Sequence, residues 1–184
     1  ALLGVIGVGS TFAYLTDETE QINNTFTVGN VNFDDEFGSG LRESAVSDES
    51  GSYVDADGEN KWTVISNEYE NLYAGEVVYK DPTVIMGKES EDAWVFAKVT
   101  YNKDQYAIEW SKDWVVVTEN DAYVVLAKTV AIKAKERSTI FTEVTVSNDI
   151  TEDTTLEDIQ VQAFAIQAAG FETYEDAISK VVFE

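Results

Sequence analysis

The side chains of this chain that could do chemistry are mostly carboxylates: 35 acidic residues stand against 12 basic ones, with no histidine and no cysteine. That excludes a Ser-His-Asp or Cys-His nucleophile, a His-ligated catalytic zinc, a thiolate metal cage and any disulfide. In YVDADGEN, Tyr53 to Asn60, the residues Asp55, Asp57 and Glu59 offer the oxygen ligands that Ca²⁺ prefers, without the EF-hand pattern. The preferred reading is an Asp-Gly hairpin tip, with calcium as the weaker alternative. Carboxylate pairs also serve hydrolases, but their separations are not visible in a sequence. No enzymatic activity and no cofactor is expected.

Three further chemistries deserve a test. Lysine and asparagine beside an acid form isopeptide bonds in some β-sandwiches when geometry permits, and a mass deficit the size of a water would reveal one. Asn23, Asn24 and Thr25 make an N-glycosylation sequon whose default is an unmodified turn. Trp62, Trp94, Trp110 and Trp114 are candidate stacking platforms for a carbohydrate. Trp62, Trp94 and Trp114 sit inside strand-like runs, which favours core roles; Trp110, between Glu109 and Ser111, is the one to test for exposure.

A chain of 184 residues can bury one substantial core, and nothing in its middle reads as an interdomain linker. The net charge of -23 argues against nucleic acid and against anionic membranes. Its plain meaning is solubility. If many copies pack together, their repulsion must be beaten by buried contacts, so any polymer should respond to ionic strength. The lack of cysteine does not identify a compartment.

The elements that would position these groups read as strands. Phe26 and Val28, a break at Gly29, then Val31 and Phe33 suggest a strand with a bulge. Residues 38 to 60 are rich in Gly, Ser, Asp and Glu and are expected to form an exposed loop or irregular hairpin. WTVI from Trp62, VVY from Val77, TVIM from Thr83 and WVFAKVTY from Trp94 all read as strands. In the last, Trp94, Phe96 and Lys98 point one way and Val95, Ala97 and Val99 the other, as in a central strand. TENDA between the Trp114 and Tyr123 runs predicts a hairpin. In IFTEVTVS, Ile140, Thr142, Val144 and Val146 oppose Phe141, Glu143, Thr145 and Ser147. In IQVQAFAIQ, Ile159, Val161, Ala163, Ala165 and Gln167 form a crowded row of mostly small residues, opposite Gln160, Gln162, Phe164 and Ile166. Thr173 should cap a short helix with Ala177, Ile178, Val181 and Val182 as its apolar stripe, covering a sheet edge or a core end. The expected class is all-β: an antiparallel, jelly-roll-like β-sandwich with a short C-terminal helix and an extended N-terminal donor strand.

The run ALLGVIGVGSTFAYL is almost uncharged on this acidic chain, and exposed apolar surface costs roughly 25 cal/mol per Å². It is too short to span a membrane as a helix, and Gly4, Gly7 and Gly9 disfavour helix altogether. As an extended strand, Leu2, Ile6, Val8, Phe12 and Tyr14 carry bulk on one face, while Gly7, Gly9 and Ala13 leave the other thin. Residues 1–15 then form a donor strand, 16–24 a polar connector and 25–184 the jelly-roll domain. Leu2, Leu3, Val5, Ile6, Val8, Phe12, Tyr14 and Leu15 are the candidate subunit-binding residues. The alternative is a strand that completes its own sheet, in a monomeric cell-surface adhesin or carbohydrate-binding β-sandwich.

Gly7, Gly9, Thr11, Phe12, Ala13, Tyr14, Asp17, Asn24, Phe26, Gly29, Val31 and Phe33 give this leader and first strand a pattern that resembles the TasA and camelysin family of secreted fibre-forming proteins. LYAGEVVYKDPTV and IQVQAFAIQAAGF also look like secreted clostridial members of that group. The resemblance implies a jelly-roll subunit exported by the Sec route and assembled outside the cell by strand exchange. Its product would be a head-to-tail homopolymer of identical subunits, a biofilm-matrix or pilus-like filament with no stable membrane insertion after maturation. The family's leader is normally cut after the residue matching Ala13; a cut before Ala1 would leave a longer strand for donation. The metalloprotease activity attached to the camelysin name is not carried over, because a His-Glu-x-x-His zinc site needs histidine.

Overall fold

The computed structural model describes residues 16–18, 31, 33–34, 40–46, 51 and 61–183. In chain order its strands are β1 (Thr16–Glu18), β2 (Leu41–Arg42), β3 (Val77–Tyr79), β4 (Thr83–Ile85) and β5 (Ala93–Thr100). There follow β6 (Tyr106–Trp110), β7 (Trp114–Glu119), β8 (Tyr123–Lys128), β9 (Arg137–Thr139), β10 (Phe141–Val146) and β11 (Gln160–Gln167), then one helix, α1 (Tyr174–Ile178). Every strand pairing among the described residues is antiparallel. The strands form a five-stranded sheet β1-β11-β5-β8-β7 and two three-stranded sheets, β3-β10-β6 and β2-β4-β9. The expected all-β antiparallel class is therefore what the chain adopts.

The two faces of β5 explain the layering. Val95, Ala97 and Val99 join Val124 and Leu126 of β8 and Ala163 and Ala165 of β11 in the main core, against Val78, Val84, Phe141, Val144 and Val146. Ala163 lies opposite Ala97 and Ala165 opposite Val95, so the small row expected from the sequence faces the main core. Trp94 and Phe96 point to the other face, with Phe164, Ile166 and Ala127, and there the C-terminal segment packs. Each large side chain so buried contributes about 1.5–3 kcal/mol. The TENDA hairpin forms between β7 and β8, with the Asn120 side-chain carbonyl accepting from the N–H groups of Ala122 and Tyr123.

Several expectations change. Thr173 caps α1 by accepting from the Asp176 N–H at 3.4 Å, but the helix covers a sheet face rather than an edge or a core end. Ala177, Ile178 and Val181 pack as expected, whereas Val182 is 68% exposed and Phe183 takes the apolar position instead. The helix ends at Ile178 with Ser179 as its C-cap, so the helical stripe is not carried through residue 182. In β10 the register shifts between Phe141 and Val144, so Ile140 and Phe141 are both buried and strict alternation fails. WTVI contributes only the bridge Val64↔Glu43, because Trp62 adopts φ 53, a left-handed turn conformation incompatible with a continuing strand. Residues 40–46, expected to be exposed loop, include β2 and the buried Arg42, Glu43 and Ser44. Gly40 is needed there: a Cβ would collide with that of Phe33 and crowd the Ile85 carbonyl oxygen. Phe33 itself bridges Met86 and is buried with Val31; Phe26, Val28 and Gly29 lie outside the described residues.

Candidate functional site

The donor-strand residues Leu2, Leu3, Val5, Ile6, Val8, Phe12, Tyr14 and Leu15 lie outside the described residues, as do Asp55, Asp57, Glu59 and the Asn23 sequon. The described chain does contain the point where the leader meets the fold. Thr16–Glu18, within the segment read as a polar connector, form edge strand β1, with Thr16 opposite Ile166 and Glu18 opposite Phe164. β11 ends at Gln167, so extending this antiparallel ladder toward lower residue numbers reaches one more position of β11 before the strand stops.

The opposite edge of the same sheet is β7, paired among the described residues with β8 alone. An edge strand carries outward N–H and C=O groups that another chain can satisfy. Beside it, β9 is the edge of its own three-stranded sheet. The two meet where the Trp114 indole N–H donates to Ser138 Oγ at 3.0 Å and the Ser111 N–H donates to the Ile140 carbonyl at 2.9 Å. Next to this junction opens a cleft of about 580 Å³ whose lining includes Lys112, Lys128, Val130, Glu136, Arg137 and Thr139. Lys128 pairs with Asp113 at 3.5 Å, and Val130 is 64% exposed. Lys112, Lys128 and Arg137 line it together with Asp113 and Glu136, so the cleft carries a slight excess of positive side chains on a chain of net charge -23.

A buried polar cluster lies elsewhere, where residues 42–46, 62–69 and 79–81 converge. Asp81, 3% exposed, accepts from the Ser44 N–H and hydroxyl, both at 2.7 Å, and from the Tyr79 hydroxyl at 3.0 Å. Glu43 exchanges backbone hydrogen bonds with Val64, and its carboxylate takes Lys80 Nζ on one oxygen at 2.5 Å and the Asn67 amide on the other at 3.1 Å. The Tyr69 hydroxyl donates to the Tyr79 carbonyl at 2.7 Å, and Lys80 Nζ lies 5.9 Å from the Tyr69 ring centre. Sequence reading missed this cluster, since Arg42, Glu43, Ser44 and Asp81 are of types usually found outside. The Asp-Pro step at Asp81 and the polar residues from 38 to 60 gave no signal of burial.

Burial pushes the Tyr69 phenol well above its usual value of 10.0, with the charges of Glu43 and Asp81 adding to the shift. Below pH 10 both folded and unfolded chains keep this proton; above it the unfolded chain releases it first, so stability falls as pH rises. Urea midpoints measured at about pH 8 and about pH 11 should therefore fall less in Tyr69→Phe than in the unsubstituted protein. At the lower pH that variant should lose about 1 kcal/mol, the bond to the Tyr79 carbonyl.

The four tryptophans differ in burial. Trp94 and Trp114 are buried as expected. Trp62 is only partly buried, with the Arg137 guanidinium 4.8 Å from its ring centre, so its expected core role is not what it adopts. Trp110 is also partly buried, edge-on to Tyr101 and Phe141 at centroid distances of 6.2 and 5.8 Å. Among the described residues no group of three or more acidic side chains is placed to hold a metal ion, and no helix is long and apolar enough to cross a membrane. Comparison with family models, curated proteins and solved structures finds no match to this chain.

Proposed function

We propose that this chain is a jelly-roll structural subunit of an extracellular, pilus-like or biofilm-matrix filament, in which residues 1–15 of one copy complete a sheet of the next. The observation that supports this reading is the placement of the two edges. Thr16–Glu18, the described residues that follow residues 1–15 in the chain, pair as β1 one residue short of the end of β11, while the β7 edge and its cleft lie across the sheet. A donor on one side and an acceptor on the other make a head-to-tail contact that repeats rather than closes. An inserted strand would gain a ladder of hydrogen bonds, each worth about 0.5–1.5 kcal/mol, together with burial of its leucine, valine, isoleucine and phenylalanine side chains. The resemblance to the TasA and camelysin family points the same way.

A monomeric adhesin is the competing reading, and the pairing of Thr16–Glu18 with β11 of the same chain favours it. Negative-stain microscopy of the purified protein, with and without residues 1–12, separates the two. Filaments from the full chain and folded monomers from the truncated one are expected, with assembly sensitive to salt. Global unfolding of the truncated chain would instead mean that the segment completes its own sheet.

A further inference from the structure

The cluster around Glu43 holds the parts of a bond-forming reaction in one place. A lysine amine becomes a nucleophile once a neighbouring base takes its proton, and an amide becomes an acyl donor once its carbonyl is polarised and its nitrogen can be protonated. Lys80 Nζ sits 2.5 Å from Glu43 Oε1, with both side chains largely out of water at 12% and 7% exposure. Asn67 is held at all three polar positions. Its Nδ2 donates to Glu43 Oε2 at 3.1 Å and to the Ser44 carbonyl at 2.9 Å, and its Oδ1 accepts the Val46 N–H at 3.0 Å. One carboxylate thus touches both the amine and the nitrogen that would leave, while a backbone donor sits where negative charge would develop.

We propose that Lys80 and Asn67 form an intramolecular isopeptide bond, with Glu43 carrying the protons. Glu43 removes a proton from the Lys80 ammonium, and the nitrogen lone pair adds to Asn67 Cγ. The Val46 N–H stabilises the oxyanion on Oδ1. Collapse of that intermediate breaks the Cγ–Nδ2 bond. Two protons pass from Nζ through Glu43 to the departing nitrogen, which leaves as ammonium while Glu43 returns to its carboxylate form. Atoms and charge balance, and no oxidant or other reactant takes part. The new amide would tie residues 61–76, which contain no strand, to the connection between β3 and β4. This inference does not depend on filament assembly.

Intact mass spectrometry of the denatured full-length protein tests it. A mass one ammonia below that of the sequence is expected, and digestion after glutamate should then leave the piece containing Asn67 covalently joined to the piece containing Lys80, although Glu68, Glu70 and Glu76 lie between them. Lys80→Arg should have full mass, and Glu43→Gln should slow bond formation by roughly a hundredfold or more. Asn67→Asp should lose a water in place of ammonia. The unsubstituted protein decides the matter whether or not the variants fold. Full mass, a deficit of one water, or an ammonia deficit with the two pieces unlinked would each overturn the assignment.

Discussion

Phe96→Ala is expected to cost about 3–5 kcal/mol and to release the C-terminal segment from the sheet it covers. Phe96 is fully buried at the middle of β5, the central strand of the five-stranded sheet, flanked by β11 and β8. Its ring lies opposite Phe164 in the β5–β11 ladder and meets Phe183 edge-on at 6.1 Å, while Phe164 meets Phe183 at 4.9 Å. Removing the ring leaves a cavity under the segment that follows α1, and the sheet backbone cannot collapse to fill it without breaking ladder bonds on both sides. A melting temperature lower by on the order of 10 °C should follow. Hydrogen exchange in residues 171–183 should rise more than in β8, since the cavity opens on the helix side of the sheet. Equal loss of protection in the main core would show that the two apolar layers do not act separately.

Asp81→Ala is expected to cost a similar amount, about 3–5 kcal/mol, by an unrelated route, the loss of a charged acceptor shared by several buried donors. The substitution deletes an acceptor on which three donors converge: the Ser44 N–H, the Ser44 hydroxyl and the Tyr79 hydroxyl. Ser44 is fully buried, so its groups have no water to turn to. Asp81→Asn preserves shape and one acceptor oxygen and should cost less, about 1–2 kcal/mol: with the amide N–H₂ in place of Oδ2, the Ser44 and Tyr79 hydroxyls can turn to accept, while the Ser44 N–H keeps its oxygen. Equilibrium urea unfolding of the three proteins checks both the size and the order. If alanine and asparagine prove equally costly, the charge at this position matters more than the bonds it receives.

The contrast between those two residues shows what can be read from a linear pattern. Phe96 was legible because side-chain direction along an extended strand alternates, and WVFAKVTY has apolar groups in both registers. The same rule placed Ala163 and Ala165 in a crowded layer and Phe164 and Ile166 opposite them. It failed at Phe141, where a bulge adds a residue to the count and buries this side chain together with Ile140 of the opposite row. It also failed at Trp62, whose backbone turns where its propensity says strand. Asp81, Glu43 and Ser44 were illegible for another reason. A polar residue is buried only when partners distant in sequence arrive to satisfy it, and Ser44 lies 37 positions from Asp81.

Sequence by itself determined the all-β class, the central place of β5, the β7–β8 hairpin, the Thr173 cap and the exclusion of histidine and cysteine chemistry. Each of these follows from local rules of period, turn chemistry or composition that hold before any long-range contact forms. Tertiary structure alone decided which sheet α1 covers, where the edges of the five-stranded sheet fall, and that one glutamate stands between a lysine and an asparagine. Those depend on the order in which strands pair, and pairing energy comes from contacts between segments whose separation along the chain carries no mark in their residues.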